Sequence, residues 1–372
     1  ADATCGHKAH ALAALMRAGL PVPDGFVVTD PATDPQRISA RLHRLRARAV
    51  AVRSSGMVED SGTASFAGQL ETVLGVRTVD DVLAAIRRCA ASAGTQRARA
   101  YRRHLDLDGE VTTPVIVQEL VEADHAGVLF TRDPRTGDDT IVVNASWGLG
   151  ESVVSGGVVP DEFTVTPPAG TVRVVLGTKQ IRLDLSDHGL VRSPVPEPDR
   201  ARACMTLDEI GRLVVLGRRC EAIFGRAQDI EWAARDGRIW LLQSRPITTL
   251  DTPPAPLGGA GRGHILVTGI PSSPGRAVGP ARLVRSVDEF PRVRRGDILV
   301  CHTTDPTWTP LFRLAAGVLT ETGGVLSHAA IVAREFHIPA VVGAQDALTS
   351  IPDGMRITVD GGCGTITGGR SP

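Results

Sequence analysis

Residues 322–343 read TGGVLSHAAIVAREFHIPAVVG. Two glycines and a serine precede His328, and an apolar run with helical spacing follows it. Gly323 and Gly324 permit a tight turn, and Ser327 stands where a helix N-cap belongs. His328 then falls in the first turn, where free N–H groups and the helix field favour an added phosphoryl group. Four uses compete for such a histidine. A packed core residue fits the apolar run. A metal ligand would need companions, and His302 and His337 form no cluster with ligand spacing. A general base fits the ordinary imidazole pKa. A phosphoryl carrier also accounts for the glycine turn and the cap, and neutral imidazole is a competent nucleophile. The local pattern leaves core residue and carrier both open.

The chain has 372 residues and a formal net charge of zero, a length that suits two or three domains. Aromatic residues make up 3%, too few for a base-stacking platform, and the neutral balance offers no bulk attraction to nucleic acid or anionic membrane. No apolar run approaches the ~20 residues of a membrane span. The opening residues lack a signal-peptide core. Six dispersed cysteines make no CxxC pair, so a disulfide scaffold or zinc site is poorly supported, and a reducing cytoplasm is the expected setting. The cations are nearly all arginine; the lysines are Lys8 and Lys179. In a chain that writes arginine for generic positive charge, these two positions ask for a compact ammonium.

Hydrophobic periodicity predicts helices over 7–18, 35–48, 78–103 and 206–224. Strands are predicted at FVVT, 49–55, 113–121, GVLFTRD and TIVVNAS, then a meander over 161–166, 171–176 and 179–184. Residues 228–247, QDIEWAARDGRIWLLQSRPI, read as a hairpin around a glycine turn. Residues 249–263 are Pro- and Gly-rich and read as a linker. Short strands then alternate with helices at 307–316 and 327–336, the pattern of a compact α/β domain.

On the hairpin, Asp229, Glu231 and Ala233 share one face of their strand, and Gln243 and Arg245 share a face of the return strand. A carboxylate, an amide oxygen and a guanidinium on one surface suit Mg²⁺ and a triphosphate, and they equally suit a salt-bridged surface hairpin. Arg53 ends a strand before the loop RSSGMVEDSGTASFAGQLET, whose amides can approach phosphate. No P-loop and no GxGxxG turn in a strand-turn-helix setting is present.

Several segments together resemble the dikinase-type phosphotransferases, the family of pyruvate phosphate dikinase, phosphoenolpyruvate synthase and, most closely, rifampin phosphotransferase. They are GHKAHALAALMRAGLPVPDGFVVT, AVRSSGMVEDSGTASFAGQLETVLGV, VIVQELVEADHAGVLFTRDPRTG, VVNASWGLGESVVSGGVVPDEF, QDIEWAARDGRIWLLQSRPIT and the TGGxxSHAAxxAR segment around His328. They cover well over half the chain, in family order.

The resemblance implies an α/β and α+β multidomain protein: an ATP-grasp nucleotide-binding domain over 1–248, a flexible linker over 249–263 and a swivelling phosphohistidine domain over 264–372. It implies ATP and Mg²⁺. Lys8 and Arg53 would hold the triphosphate, with Arg245 on the transferring phosphates. Glu231 and Gln243 would bind the metal, and Gln118, Glu119 and Val121 would lie at the base. His328 would carry the phosphoryl group, with Thr322, Gly323, Gly324, Ser327 and Arg334 around it and Thr303, Thr304 and Trp308 on a docking surface. Lys179 receives no role.

The chain departs from the family pattern. The 372 residues contain no phosphoenolpyruvate-binding barrel, no large helical acceptor domain and only a short segment between Val28 and Arg53. The expected activity is therefore transfer of the β-phosphoryl group of ATP, through His328, to a small-molecule acceptor, with AMP and phosphate released. The alternatives are a nucleotide-binding subunit that passes the group to a partner protein, and an ATP-grasp ligase that forms an acyl phosphate and ADP.

Overall fold

The computed structural model describes residues 5–56, 71–92, 113–167, 170–247 and 264–368. The 249–263 linker, residues 57–70 of the Gly/Ser-rich loop and the end of the helix expected over 78–103 lie outside them.

Four strands, β1 (Gly25–Val28), β2 (Val50–Ser54), β3 (Thr72–Val76) and β4 (Val115–Glu119), form an antiparallel sheet in the order β1-β4-β2-β3. Helix α1 (His7–Arg17) precedes it. Helix α2 (Pro35–Leu45) starts where Asp34 accepts from the Gln36 amide and stops at Arg46 in the left-handed region. Helix α3 (Val79–Ser92) buries Val82, Ile86 and Cys89, one face at i, i+4 and i+7, against Val50, Val52, Val115 and Val117.

Next come β5 (His125–Phe130), β6 (Ile141–Trp147), a one-turn helix α4 (Glu151–Val154), β7 (Asp161–Thr166), β8 (Thr171–Val175), β9 (Ile181–Ser186) and β10 (Gly189–Pro194). Helix α5 (Leu207–Phe224), β11 (Gln228–Arg235) and β12 (Arg238–Pro246) follow. Six of these strands form a second antiparallel sheet, β12-β11-β5-β6-β7-β8. The predicted meander is therefore only partly right. β9 pairs with β10 as a separate hairpin, which Arg77 fastens to the first sheet by donating to the Ser186 and Asp187 carbonyls. Thr206 and Glu209 form a capping box at the start of α5, and Gly225 ends it in the left-handed region. Its Ile210, Leu213 and Cys220 pack with Leu15 of α1 and with Ile230, Trp232 and Leu241 of the sheet.

Residues 264–368 build a sheet of their own: β13 (His264–Thr268), β14 (Ile270–Ser273), β15 (Arg276–Leu283), β16 (Ile298–Cys301), β17 (Gly317–Thr320), β18 (Ala340–Val342), β19 (Arg356–Asp360) and β20 (Thr365–Gly368). Their order is β13-β20-β19-β15-β16-β17-β18-β14, with β15 to β18 parallel and the other pairs antiparallel. Alternate residues serve opposite faces. Leu299, Cys301 and Val318 enter one core, and Ile298, Val300 and Leu319 the other. Such strands are buried on both sides and read as continuous apolar runs. The helix expected at 307–316 is shorter, a 3₁₀ turn at Pro306–Trp308 running into α6 (Thr309–Phe312), because the chain must turn back into β17 at Gly317. Helix α7 (His328–Glu335) lies where the sequence placed it. Both halves of the chain mix helices and sheets.

Candidate active site

The start of α1 lies directly on the end of β2. The Ala9 amide donates to Ser55 Oγ (3.1 Å), Ser55 Oγ donates to the Cys5 carbonyl (2.9 Å), and the His7 amide donates to the Gly56 carbonyl (3.2 Å). Gly6, at φ 78°, allows this approach, since a Cβ there would stand 1.7 Å from the Ser55 carbonyl oxygen. The contact brings Lys8, in the first turn of α1, and Arg53, next to last on β2, to one wall of a cleft between the two sheets.

The hairpin β11/β12 forms the facing wall. Glu231 and Gln243 are directly opposed across it, as are Asp229 and Arg245, and a bulge follows Glu231. Arg245 Nε donates to Asp229 Oδ2 (2.8 Å), and Arg245 lines the cleft. Arg53 Nη1 reaches Glu231 Oε2 across the cleft at 3.3 Å. Glu151, the first residue of α4, also lines the cleft. Its side chain is exposed to the cleft, yet the surrounding walls strip water from it. That loss, with the Glu231 carboxylate nearby, pushes its pKa up to about 7 against the opposing pull of Arg53 and Arg192.

The third wall comes from residues 264–368, from the segment after β16 and from helix α7. His328 lines the same cleft as Lys8, Arg53, Val121, Glu231, Gln243 and Arg245. It is buried, packs edge-on against Phe312 and places Nδ1 2.9 Å from Thr304 Oγ1. Thr304 is itself 1% exposed, so the pair is fixed by packing.

Other expected residues stand elsewhere. Ser327 occupies the N-cap position of α7, but its side chain makes no cap bond; it turns against Gly323 and Gly156. Arg334 is buried and donates to the Ser272 and Val325 carbonyls (both 2.8 Å), so it pins the loop that precedes His328. Burial, and then the Arg135 cation, lower its pKa to about 10. Thr322 Oγ1 donates to the Gly156 carbonyl (2.7 Å), with the His302 carbonyl as a second acceptor within reach (3.1 Å). Trp308 is not on a docking surface; it is buried edge-on against Phe290 in the C-terminal core, where its large apolar area is best hidden from water. Gln118 and Glu119 lie on β4 but do not line the cleft. Gln118 donates to the Pro23 carbonyl (3.4 Å), and burial with Asp24 alongside raises the Glu119 carboxyl.

Comparison with known proteins agrees with this architecture. The model of the pyruvate phosphate dikinase AMP/ATP-binding domain matches residues 31–255, and that of the PEP-utilising enzyme mobile domain matches 293–364. The chain belongs to the pyruvate phosphate dikinase AMP/ATP-binding family. Its relatives include a probable phosphoenolpyruvate synthase of Methanothermobacter thermautotrophicus, 37% identical over 97% of this chain and 61% of that protein. The phosphoenolpyruvate synthase of Pyrococcus furiosus is 39% identical over 85% of this chain and 40% of that one. The chain thus spans roughly half the length of these curated relatives. It also aligns with a D-alanine–D-alanine ligase of Bacillus anthracis at a TM-score of 0.31 and 9% identity, over 65% of this chain and 56% of that one.

In this dikinase-family chain the sequence reading missed Glu151, Asp229 as the partner of Arg245, and Thr304 as the partner of the histidine. Glu151 had a local signal, the Gly-Leu-Gly-Glu-Ser run at 148–152, which puts a carboxylate at the start of a helix after a glycine turn. Thr304 had none, because 24 residues separate it from His328. If His328 carries a phosphoryl group, Thr304→Val, which keeps the shape and removes the hydroxyl, is expected to slow its labelling about tenfold, the value of one buried hydrogen bond. Rapid-quench labelling measures this, and an unchanged rate would show that Thr304 only fills space.

Proposed function

We propose that the protein is a dikinase-type phosphotransferase that carries the β-phosphoryl group of ATP on His328 to a small-molecule acceptor. The observation that carries this reading is the presence of His328 in the cleft that also holds Lys8, Arg53, Glu231, Gln243 and Arg245.

The residues divide the work. Lys8, Arg53 and Arg245 supply three cations against the triphosphate, with Lys8 as a compact point charge and the arginines as planar forks. Val121 and the apolar side chains around it receive the base. Glu231 and Gln243 present two hard oxygen donors from adjacent strands and leave the remaining positions to phosphate and water, which fits Mg²⁺. When bound, Mg²⁺ neutralises charge developing on the phosphates. In the tautomer whose Nδ1–H donates to Thr304 Oγ1, the lone pair lies on Nε2. Nε2 attacks the β-phosphorus, the bond from that phosphorus to the AMP oxygen breaks, and AMP departs. Water then takes the γ-phosphoryl group as phosphate, and the β-phosphoryl group stays on nitrogen until the acceptor removes it. The relatives' name, phosphoenolpyruvate synthase, supports a small-molecule acceptor.

The test uses ATP labelled separately at the β and γ positions. Acid-labile label retained from the β position, with AMP as the nucleotide product, is expected. Label retained only from the γ position, with ADP as product, would replace this reading with simple kinase or ligase chemistry. Glu231→Gln should cut labelling severely at limiting Mg²⁺ while ATP affinity without metal changes little, because one ligand charge is lost. Full-rate labelling in that variant would assign the hairpin a structural role alone.

A further inference from the structure

The turn after α4 meets the loop before His328. Thr322 Oγ1 donates to the Gly156 carbonyl (2.7 Å), and Thr303 Oγ1 donates to the same oxygen (3.2 Å). The Gly323 amide donates to the Val158 carbonyl (3.1 Å). Beside these bonds Val325 and Leu326, both buried, enter an apolar cluster with Val128, Phe130, Val142, Val153 and Val158. The bonds join residues 156–158 to residues 303–323, and the cluster joins residues 128–158 to Val325 and Leu326, with Ile181, Ile247 and Ile270 packed against its edge.

Gly156 stands where the two hydroxyls converge. Its φ is 72°, a region that L side chains rarely adopt. A Cβ there would stand 3.0 Å from Ser327 Cβ and 3.2 Å from Thr303 Oγ1. A side chain would therefore strain the turn and push the loop bearing His328 outward. The Thr322 hydroxyl has a second acceptor within its own half of the chain, the His302 carbonyl at 3.1 Å. When the contact opens, that hydroxyl keeps a partner, whereas the Thr303 hydroxyl and the Gly323 amide exchange theirs for water. Hydrogen-bonded through two hydroxyls and apolar beside them, the contact has the form of a latch.

We propose that the Ser155–Gly156 turn is the seat on which the Thr303 and Thr322 hydroxyls latch, and that the bare Cα of Gly156 sets whether His328 reaches the nucleotide cleft. Thr303, Thr322 and Gly156 are then positioning residues for the ATP half of the reaction. They have no part in binding ATP. The proposal rests on His328 being the carrier.

The experiment is rapid-quench labelling of His328 from β-labelled ATP in Gly156→Ala, Thr322→Val and Thr322→Ser, with ATP affinity measured alongside. Gly156→Ala and Thr322→Val are expected to lower the labelling rate about tenfold, equivalent to roughly 1.4 kcal/mol, at unchanged ATP affinity. Thr322→Ser, which keeps the hydroxyl, is expected to restore the rate. Parent-rate labelling in both Gly156→Ala and Thr322→Val overturns the latch. If the parent protein takes up no label, the carrier reading fails, and small-angle scattering decides the latch independently. A larger radius of gyration for Gly156→Ala than for the parent supports it, and equal radii overturn it.

Discussion

His328→Asn is expected to bind ATP with near-parent affinity and to take up no acid-labile phosphoryl group. The amide of asparagine cannot act as the nucleophile, and the loss is therefore complete and not graded. Nucleotide affinity survives because Lys8, Arg53, Glu231, Gln243 and Arg245 all belong to residues 5–247, whereas His328 opens helix α7 in residues 264–368. From sequence alone, unchanged stability would separate a carrier from a core histidine. The structure alters that criterion. His328 is 5% exposed, packs against Phe312 and meets Thr304, so it serves the core and the cleft together. A loss of about 1 kcal/mol in stability is expected on top of the lost chemistry. The decisive comparison is then with Phe312→Leu, which disturbs the same packing and keeps the imidazole. That variant should lose comparable stability and retain labelling. Acid-labile label on His328→Asn would exclude the carrier role, and so would its loss in both variants in proportion to stability.

What the sequence made legible follows from the range of each interaction. Strand parity placed Glu231 and Gln243 on one surface, and the hairpin register opposes them directly, because a hairpin is a local structure with a fixed period. Helix α5 was legible from its apolar stripe for the same reason. Ser327 satisfied the local rule for a cap, yet tertiary contact with Gly156 took its side chain away from the backbone. The Thr304–His328 pair depends on how β16 and α7 pack, and no periodicity encodes that. Gln118 sat on the right strand, but the direction of its side chain was decided by the Pro23 carbonyl, 95 residues away. The fold class and the wall residues were therefore readable, whereas the contacts that join the walls were set by packing.

Lys179 is the residue whose role the sequence left open, and its replacement is expected to produce the largest loss of stability. Its side chain and that of Asp161 are both 0% exposed, and Nζ lies 2.5 Å from Asp161 Oδ1. Nζ also donates to the Gly177 carbonyl (3.0 Å) and the Arg200 carbonyl (3.1 Å), so all three ammonium protons have acceptors. Asp161 accepts in addition from the Gly177 amide (2.8 Å) and the Cys204 amide (2.8 Å). Lys179→Met would leave a buried carboxylate without its counter-charge, at a cost of about 3–5 kcal/mol. Lys179→Arg is expected to be destabilising as well, because a planar guanidinium cannot point three donors at acceptors arranged around one nitrogen. That geometry accounts for a lysine at this position in a chain that otherwise writes arginine almost throughout. The double variant Lys179→Met with Asp161→Asn should recover part of the loss, since the uncompensated charge is gone and an amide oxygen still accepts from the backbone. Thermal melting checks the set. An unchanged midpoint in Lys179→Met would show that the pair is dispensable. A double variant no more stable than the single one would show that the cost lies in packing and not in charge. Asp161 opens β7 directly after the segment that receives Gly323 and packs on Gly324, so the same ion pair holds rigid the surface on which the His328 loop rests.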